Sequence, residues 1–396
     1  MITRLKVKNY RSIEEIDLPL SPLTVLVGKN GAGKSTILDV LAFVRDALTE
    51  GLGSAIRKRG DVHSIVKWTP NQEQHDIEVA LFFDSNRQDE LNGSYSFTYG
   101  KFNGNAYEVK QEECVINQSG YKGFRMERFA DGTTHLYDNL SVKPSTAKYR
   151  SVEELGFYLA PFSDNIDTAE ETMDQVKVLL TDTEVYNIPP ENIRSPQARA
   201  DDAKLWGDGK NLASVLYRLQ SDEATFGRIR SALHQIVPNV EDIRVRGLDD
   251  YYSISLKHHR KDDAEAWFSL RHESDGTLRA LALLTALYQD YTHSCIAIEE
   301  PETAIFSRNL GIIADALYEA TLRRQVIITT QSPDLISCFA ADDLRIVTEV
   351  DGATTAGTLD KTQLRIIEKE LFNAGELLRL EGLFSSSIPR GEEVVA

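Results

Sequence analysis

Three cysteines in 396 residues, Cys114, Cys295 and Cys338, leave no disulfide framework to build and no metal-like spacing to read. Their odd number, with Cys295 inside an apolar run, points to free thiols and a reducing compartment. Positive charge is also scarce. Against 61 Asp and Glu stand 44 Lys and Arg, a net charge of −17, which argues against indiscriminate binding to polyphosphate backbones. No apolar stretch has membrane-spanning length, and the N-terminus reads as an amphipathic strand, so neither a membrane span nor a secretory signal is expected. The eight histidines form no HExxH pattern, and no Gly-x-Ser-x-Gly elbow occurs. Internal repeats and low-complexity segments are lacking too. With 41% hydrophobic and 27% charged residues, the chain can bury a large core as one elaborated domain or two lobes. The expectation is a cytoplasmic protein.

The motif that stands out is Gly28-Lys29-Asn30-Gly31-Ala32-Gly33-Lys34-Ser35-Thr36, set between the apolar run Leu23–Val27 and the helical pattern that starts at Ile37. Glycine, four residues, then Gly-Lys-Ser is the Walker A spacing, in which backbone N–H groups and a helix N-terminus wrap a phosphate chain. Lys34 reaches the β- and γ-phosphates in such a loop, and the Ser35 hydroxyl binds Mg²⁺. A nucleoside triphosphate is the expected ligand.

Far downstream, the buried-strand run Cys295–Ile298 ends in Glu299-Glu300-Pro301-Glu302. A carboxylate at such a strand tip holds the metal shell and the next orients and deprotonates the attacking water, so Glu299 is assigned to the metal and Glu300 to the water. Paired glutamates after a strand are by themselves an ordinary solvated turn. The intact phosphate loop reverses that preference. Before this strand, Glu273-Ser274-Asp275-Gly276-Thr277 opens a leucine-periodic helix; Ser274 or Asp275 caps it, and Gly276 lets a foreign phosphate approach the backbone.

Together these three motifs resemble the ABC-type ATPases of the SMC, RecF and OLD branch, and the resemblance spans almost the whole chain. The opening Ile2–Ile13 looks like that branch's first strand. Asn30 matches the asparagine its phosphate loop carries, and Gln325–Pro333 looks like the strand leading into its switch motif. Gly375-Glu376-Leu377-Leu378-Arg379 resembles a tail segment of standalone bacterial ATPases of this kind. The resemblance implies ATP and Mg²⁺ as ligands, with Asn30, Gly31, Gly33, Lys34, Ser35, Thr36, Ser274 and Gly276 around the nucleotide. It also implies a homodimer in which Ser274 and Gly276 close onto ATP held by the other subunit. Two departures stand out. The switch position has Gln331 where the family carries histidine, an amide that can bond a γ-phosphate but cannot shuttle a proton. Thr303–Ser307 replaces a Gly-Leu-His-Pro stretch. Both favour slow hydrolysis.

The fold expected from this is α/β: a P-loop NTPase of ABC or SMC-head type with a central, mostly parallel sheet, an antiparallel β subdomain and an inserted helical lobe. Lys34 and Ser274 are 240 positions apart without a sustained heptad pattern, which excludes a long coiled-coil arm. Residues 1–150 are expected to form an N-terminal ATPase lobe whose strands include a hairpin around Asp131-Gly132. Residues 151–240 read as a helical lobe with irregular stretches near Asp164 and Pro189-Pro190, and 241–396 as a C-terminal ATPase lobe. The region after Gln331 is too short for the nuclease domain of some OLD-type relatives.

Arg57-Lys58-Arg59 and Lys257–Lys261 are candidate basic patches, with a solvated loop or strand edge the equal alternative, and neither has aromatic interleaving along the sequence. The functional expectation is an ATP-dependent switch that controls a separately encoded effector, a nuclease or toxin of an antiviral module. A RecF-like DNA-repair ATPase and a nucleotide-sensing scaffold with little hydrolysis are the alternatives.

Overall fold

Strand β3, Leu23–Val27, is buried along its whole length, as expected of a run with no polar face. A computed structural model describes residues 1–68, 75–85, 91–101, 107–118, 123–138, 145–148, 154–155, 167–202, 204–259, 266–289 and 293–387. The region near Asp164 and the pair Arg260-Lys261 lie outside them. Two compact units result. One comprises residues 1–183, 342–369 and 381–396; the other comprises 184–341 and 370–380.

The first unit begins with β1 (Ile2–Tyr10) and β2 (Ile13–Pro19), then β3, β4 (Ile77–Asp84), β5 (Leu91–Lys101), β6 (Tyr107–Gln118), β7 (Phe124–Phe129), β8 (Thr133–Asp138) and β9 (Ser145–Lys148). Antiparallel pairing runs β2-β1-β4-β5-β6-β7-β8-β9. Register carries inward side chains across the sheet in rows. Leu18, Leu5, Leu81, Tyr95, Cys114, Met126 and Leu136 form one row, and Ile16, Val7, Val79, Phe97, Glu112 and Arg128 the next. The second row ends in an ion pair, Arg128 Nη1 to Glu112 Oε2 at 3.5 Å with both side chains buried, and Tyr95 donates its hydroxyl to Glu112 Oε1 at 2.8 Å. The helix Lys34–Thr49 packs Phe43 against Tyr10 and Phe97, with ring centroids 5.4 and 6.3 Å apart. The expected hairpin around Asp131-Gly132 is present as β7 and β8.

In the second unit, β10 (Thr183–Tyr186) borders β15 (Cys295–Glu299), which pairs in parallel with β16 (Gln325–Thr330). A smaller sheet is built from β11 (Gln197–Ala198), β12 (Val240–Leu248), β13 (Tyr251–His258) and β14 (Ala266–Ser269). Leucine periodicity builds the helix Asp275–Tyr288, buried from Leu278 to Tyr288 except for Arg279. The chain then returns to the first unit with β17 (Leu344–Val350) and β18 (Ala353–Thr358), an antiparallel pair that joins β3 and β2 through parallel pairings. Residues 151–240, read from sequence as one helical lobe, are divided between the units after Thr183 and carry β10 and β11 besides helices.

Candidate functional site

In the first unit the phosphate loop joins β3 to the helix Lys34–Thr49, and its three glycines serve three purposes. A Cβ on Gly28 would lie 2.2 Å from the Val347 carbonyl oxygen of β17, so this position admits no side chain. Gly33 has φ 101° and would place a Cβ 2.0 Å from Thr354 Oγ1. Gly31 also has positive φ, 85°, but faces open space with no heavy atom within 4 Å. Two glycines thus fit the loop to the sheet, and the third keeps its rim clear.

Because Gly33 is the residue before the helix, no side chain caps the first-turn N–H groups, and no acid lies in that turn. Uncapped donors at a helix N-terminus suit an anion. Lys34 is buried, and its ammonium donates to the carbonyls of Gly28 at 2.6 Å and Lys29 at 2.9 Å, curling the cation into the loop. Asn30, Gly31 and Ser35 are exposed at the rim. Thr36 is reached by Ser12, whose hydroxyl also accepts from Thr354 Oγ1 at 2.8 Å. A triphosphate fits this cradle: open backbone at Gly31, uncapped donors, and a cation within the loop.

The same helix is braced from behind. Asp39 accepts from the Tyr10 hydroxyl at 2.7 Å and from Arg59 Nε at 2.9 Å, and pairs with Arg11 at 3.0 Å. Arg59 also reaches Asp46 at 3.0 Å. Burial pushes the Tyr10 phenol well above its ordinary range, and the Asp39 charge adds to the effect. Arg59, read from sequence as part of a basic patch or solvated loop, is instead a buried tie between two helix carboxylates. Nothing in its local composition announces this, because its partners are 13 and 20 residues away in sequence.

The acidic strand end lies in the second unit. Glu299 closes β15 opposite Thr329 of β16 and accepts from Asn187 Nδ2 at 2.8 Å. Glu300 has φ 43°, a left-handed conformation that costs a non-glycine residue about 1–2 kcal/mol. Its N–H donates to the Thr329 carbonyl at 3.0 Å, which pins the turn. Thr303 Oγ1 lies 3.4 Å from Glu300 Oε2. Glu302, to which the sequence assigned nothing, accepts from Thr330 Oγ1 at 2.6 Å; burial raises its carboxyl pKa and the Thr330 hydroxyl opposes that rise. It ties the acidic turn to the end of β16, one residue before Gln331, which is exposed.

Ser274 caps the helix Asp275–Tyr288, accepting from the Thr277 N–H at 3.2 Å. Asp275 pairs with Arg194, whose guanidinium also donates to the Glu273 carbonyl at 2.9 Å, and His258 Nε2 lies 2.7 Å from Glu273 Oε1. The close approach expected at Gly276 is made here by the protein itself: a Cβ would lie 2.2 Å from the carbonyl of Ala304, in the segment that departs from the family pattern. The tail segment docks on the helix Pro333–Ile336 after Gln331. A Cβ on Gly375 would lie 2.0 Å from the Pro333 carbonyl, and Arg379 pairs with Asp334. Asn373 and Glu376 cap each other reciprocally at 2.8 and 2.9 Å. The structure therefore brings Glu299, Glu300, Gln331, Ser274 and Gly276 into one unit, and Asn30, Gly31, Gly33, Lys34, Ser35 and Thr36 into the other.

Among known proteins, the family model described as "AAA domain, putative AbiEii toxin, Type IV TA system" matches residues 23–337. An OLD nuclease of Thermus scotoductus is 61% identical over 44 residues, 11% of this chain and 8% of that protein. DNA replication and repair protein RecF of Corynebacterium jeikeium is 38% identical over 63 residues, 15% of each chain, and RecF of Cronobacter sakazakii 35% over 89 residues, 22% of this chain and 25% of that one. The chain thus spans a quarter or less of these relatives' lengths. Two SMC head structures share the fold. One, bound to the C-winged helix domain of ScpA, superposes with TM-score 0.55 at 17% identity, covering 91% of this chain and 99% of that one. The other, derived from Pyrococcus furiosus and bound to the C-terminal domain of ScpA, gives 0.54 at 14%, covering 93% and 99%. The chain belongs to this AAA-domain family and is a P-loop ATPase of the ABC type, in the SMC, RecF and OLD branch.

Proposed function

We propose that the chain is an ATP-driven switch whose nucleotide state controls a partner protein. The observation that carries this reading is the phosphate loop, with its rim open at Gly31 and its helix start uncapped while Lys34 is held by loop carbonyls. On ATP binding, Lys34 exchanges those carbonyls for the β- and γ-phosphates. Ser35 and Glu299 are the residues proposed for Mg²⁺, which neutralises the phosphate oxygens when bound. Among the described residues no group of three or more His, Cys, Asp or Glu side chains is arranged to hold a metal ion by itself. That suits an ion held largely by substrate phosphates. Glu300, pinned through its own N–H, is the base for the attacking water, and Gln331 contacts the γ-phosphate.

In the same proposal, two copies of the chain close around two ATP molecules, Ser274 and Gly276 of one facing the nucleotide of the other. Exposure of Gly276 then requires Ala304 to move aside. The proposal extends to an effector on a separate chain, a nuclease or toxin of an antiviral module in the cytoplasm. The ScpA complexes of the SMC heads are a precedent for a partner protein. A scaffold that senses nucleotide with little hydrolysis is favoured by one observation, the neutral Gln331 at the switch. Calorimetry with ATP and Mg²⁺ tests the core of the reading. Lys34→Ala should abolish binding or weaken it about a hundredfold, the range of losing a charge-assisted contact, and unchanged affinity would refute the assignment.

A further inference from the structure

Among the described residues, the small sheet of the second unit has one face packed and one exposed or partly exposed. Ile243, Val245, Ile254 and Leu256 are buried and in register with one another. The opposite face presents Arg244, Arg246 and Leu248 on β12, Tyr251, Ser253, Ser255 and Lys257 on β13, and Trp267 and Ser269 on β14. Here Arg244 reaches across β13 to lay its guanidinium 3.6 Å above the Trp267 ring centroid. Ser255, the residue opposite Arg244, is small enough to let it pass. Arg246 is exposed beside it.

The pair sets two positive charges side by side in a chain of net charge −17. Several cations of the unit are matched with acids: Arg230 with Glu223 and Asp242, Arg228 with Glu319, Arg194 with Asp275, and Lys257 with Glu241. Arg244 and Arg246 make no ion pair among the described residues. They are two residues apart on one strand, so both point to the open side. The acids at that end of β12 are engaged, Asp242 with Arg230, and Glu241 with Lys257 and His259. Further along, Tyr251 is half exposed, 51%, opposite Leu248. Six positions of β13 separate it from Lys257, the register partner of Trp267, a span of roughly 20 Å.

We propose that the open face of β12, β13 and β14 binds single-stranded nucleic acid. The flat guanidinium of Arg244, seated over the indole, is a platform on which a base stacks. Arg246 takes a phosphate, the serines offer hydroxyls to base edges, and Tyr251 stacks a base at the far end. The aromatic interleaving missing along the sequence is here made across strands. Phosphate is the ligand chemistry at Arg246 because an exposed guanidinium without an acid partner among the described residues suits it bidentately, and an unpaired strand suits the Arg244 platform because its bases are free to stack.

The test uses the full chain without nucleotide, so its result is independent of the ATPase reading. Fluorescence anisotropy follows labelled oligo-dT and oligo-U of about twelve nucleotides and a duplex of the same length, at about 50 and 200 mM salt. Single strands should bind more tightly than the duplex, and the tighter of dT and U identifies the sugar. Arg244→Ala and Trp267→Ala should each lower affinity about tenfold or more. Arg244→Lys, which keeps charge but loses the plane, should fail to restore it, whereas Trp267→Phe should retain most of it. Arg246→Ala should reduce the salt slope by about 0.7. With Trp68 and Trp206 changed to Phe, Trp267 fluorescence should be quenched on binding. No single-strand binding at the lower salt, wild-type affinity in the Arg244→Ala and Arg246→Ala variants with unchanged thermal melting, or full competition by an acidic polypeptide would each overturn the proposal.

Discussion

Alanine at Gly28, Gly31 and Gly33, one at a time, separates what the phosphate loop needs for folding from what it needs for its ligand. At Gly31 the added methyl meets nothing, so the cost is that of an L-residue at φ 85°, about 1–2 kcal/mol. At Gly28 the backbone is not left-handed, but the methyl would lie 2.2 Å from the Val347 oxygen. Relief needs about 1 Å of movement between β3 and β17, an overpacking cost of about 1–3 kcal/mol. Gly33 incurs both, φ 101° and a 2.0 Å clash with Thr354, so about 2–5 kcal/mol in total. Urea midpoints measure the stability loss, and calorimetry with ATP and Mg²⁺ measures affinity in each variant. Gly33→Ala should be the least stable of the three. Gly31→Ala should lose nucleotide affinity out of proportion to its stability loss, because its methyl occupies the open rim. Wild-type affinity in Gly31→Ala, or a Gly33→Ala variant as stable as Gly31→Ala, would refute this division of roles.

Glu300→Gln should retain ATP, stop hydrolysis and accumulate a closed dimer seen by light scattering; if Glu299→Gln alone does so while Glu300→Gln turns over normally, the two roles are exchanged. Gln331→His should raise turnover about tenfold if a missing proton carrier or γ-phosphate contact limits the rate, and a variant slower than wild type would give Gln331 a positive role of its own. Arg128→Met leaves the buried Glu112 without its cation, though still bonded by Tyr95, and should cost about 3–5 kcal/mol, with the double variant Arg128→Met, Glu112→Leu recovering most of it. A single variant as stable as wild type in denaturant unfolding would show that the pair contributes nothing.

The phosphate loop was legible in the sequence because its determinants are contiguous: strand, loop and helix follow one another, and each glycine announces itself. So were the strand ending in Glu299, the Ser274 cap and the Asp131-Gly132 hairpin. What could not be read is whatever register and return of the chain create. Arg59 looks like a surface charge until Asp39 and Asp46 are set beside it on one helix. Glu302 gains its meaning from Thr330, 28 residues later. Arg244 and Trp267 share a face only because β13 lies between them, and no run of residues shows that interleaving. The three-part division by sequence gave way to two units because β17 and β18 go back to β3 and β2, which no local periodicity encodes.

That return dictates an order of assembly. Two of the loop's glycines are fitted against Val347 and Thr354, more than 300 positions downstream, so on the ribosome the loop emerges with nothing to seat against until those strands have followed it. Closing so long a span adds only logarithmically to the entropic cost, but it raises the contact order and slows folding. A nascent chain therefore carries its most recognisable motif in an unfinished shape until β17 and β18 return to it, and competence to hold nucleotide waits on that return rather than preceding it.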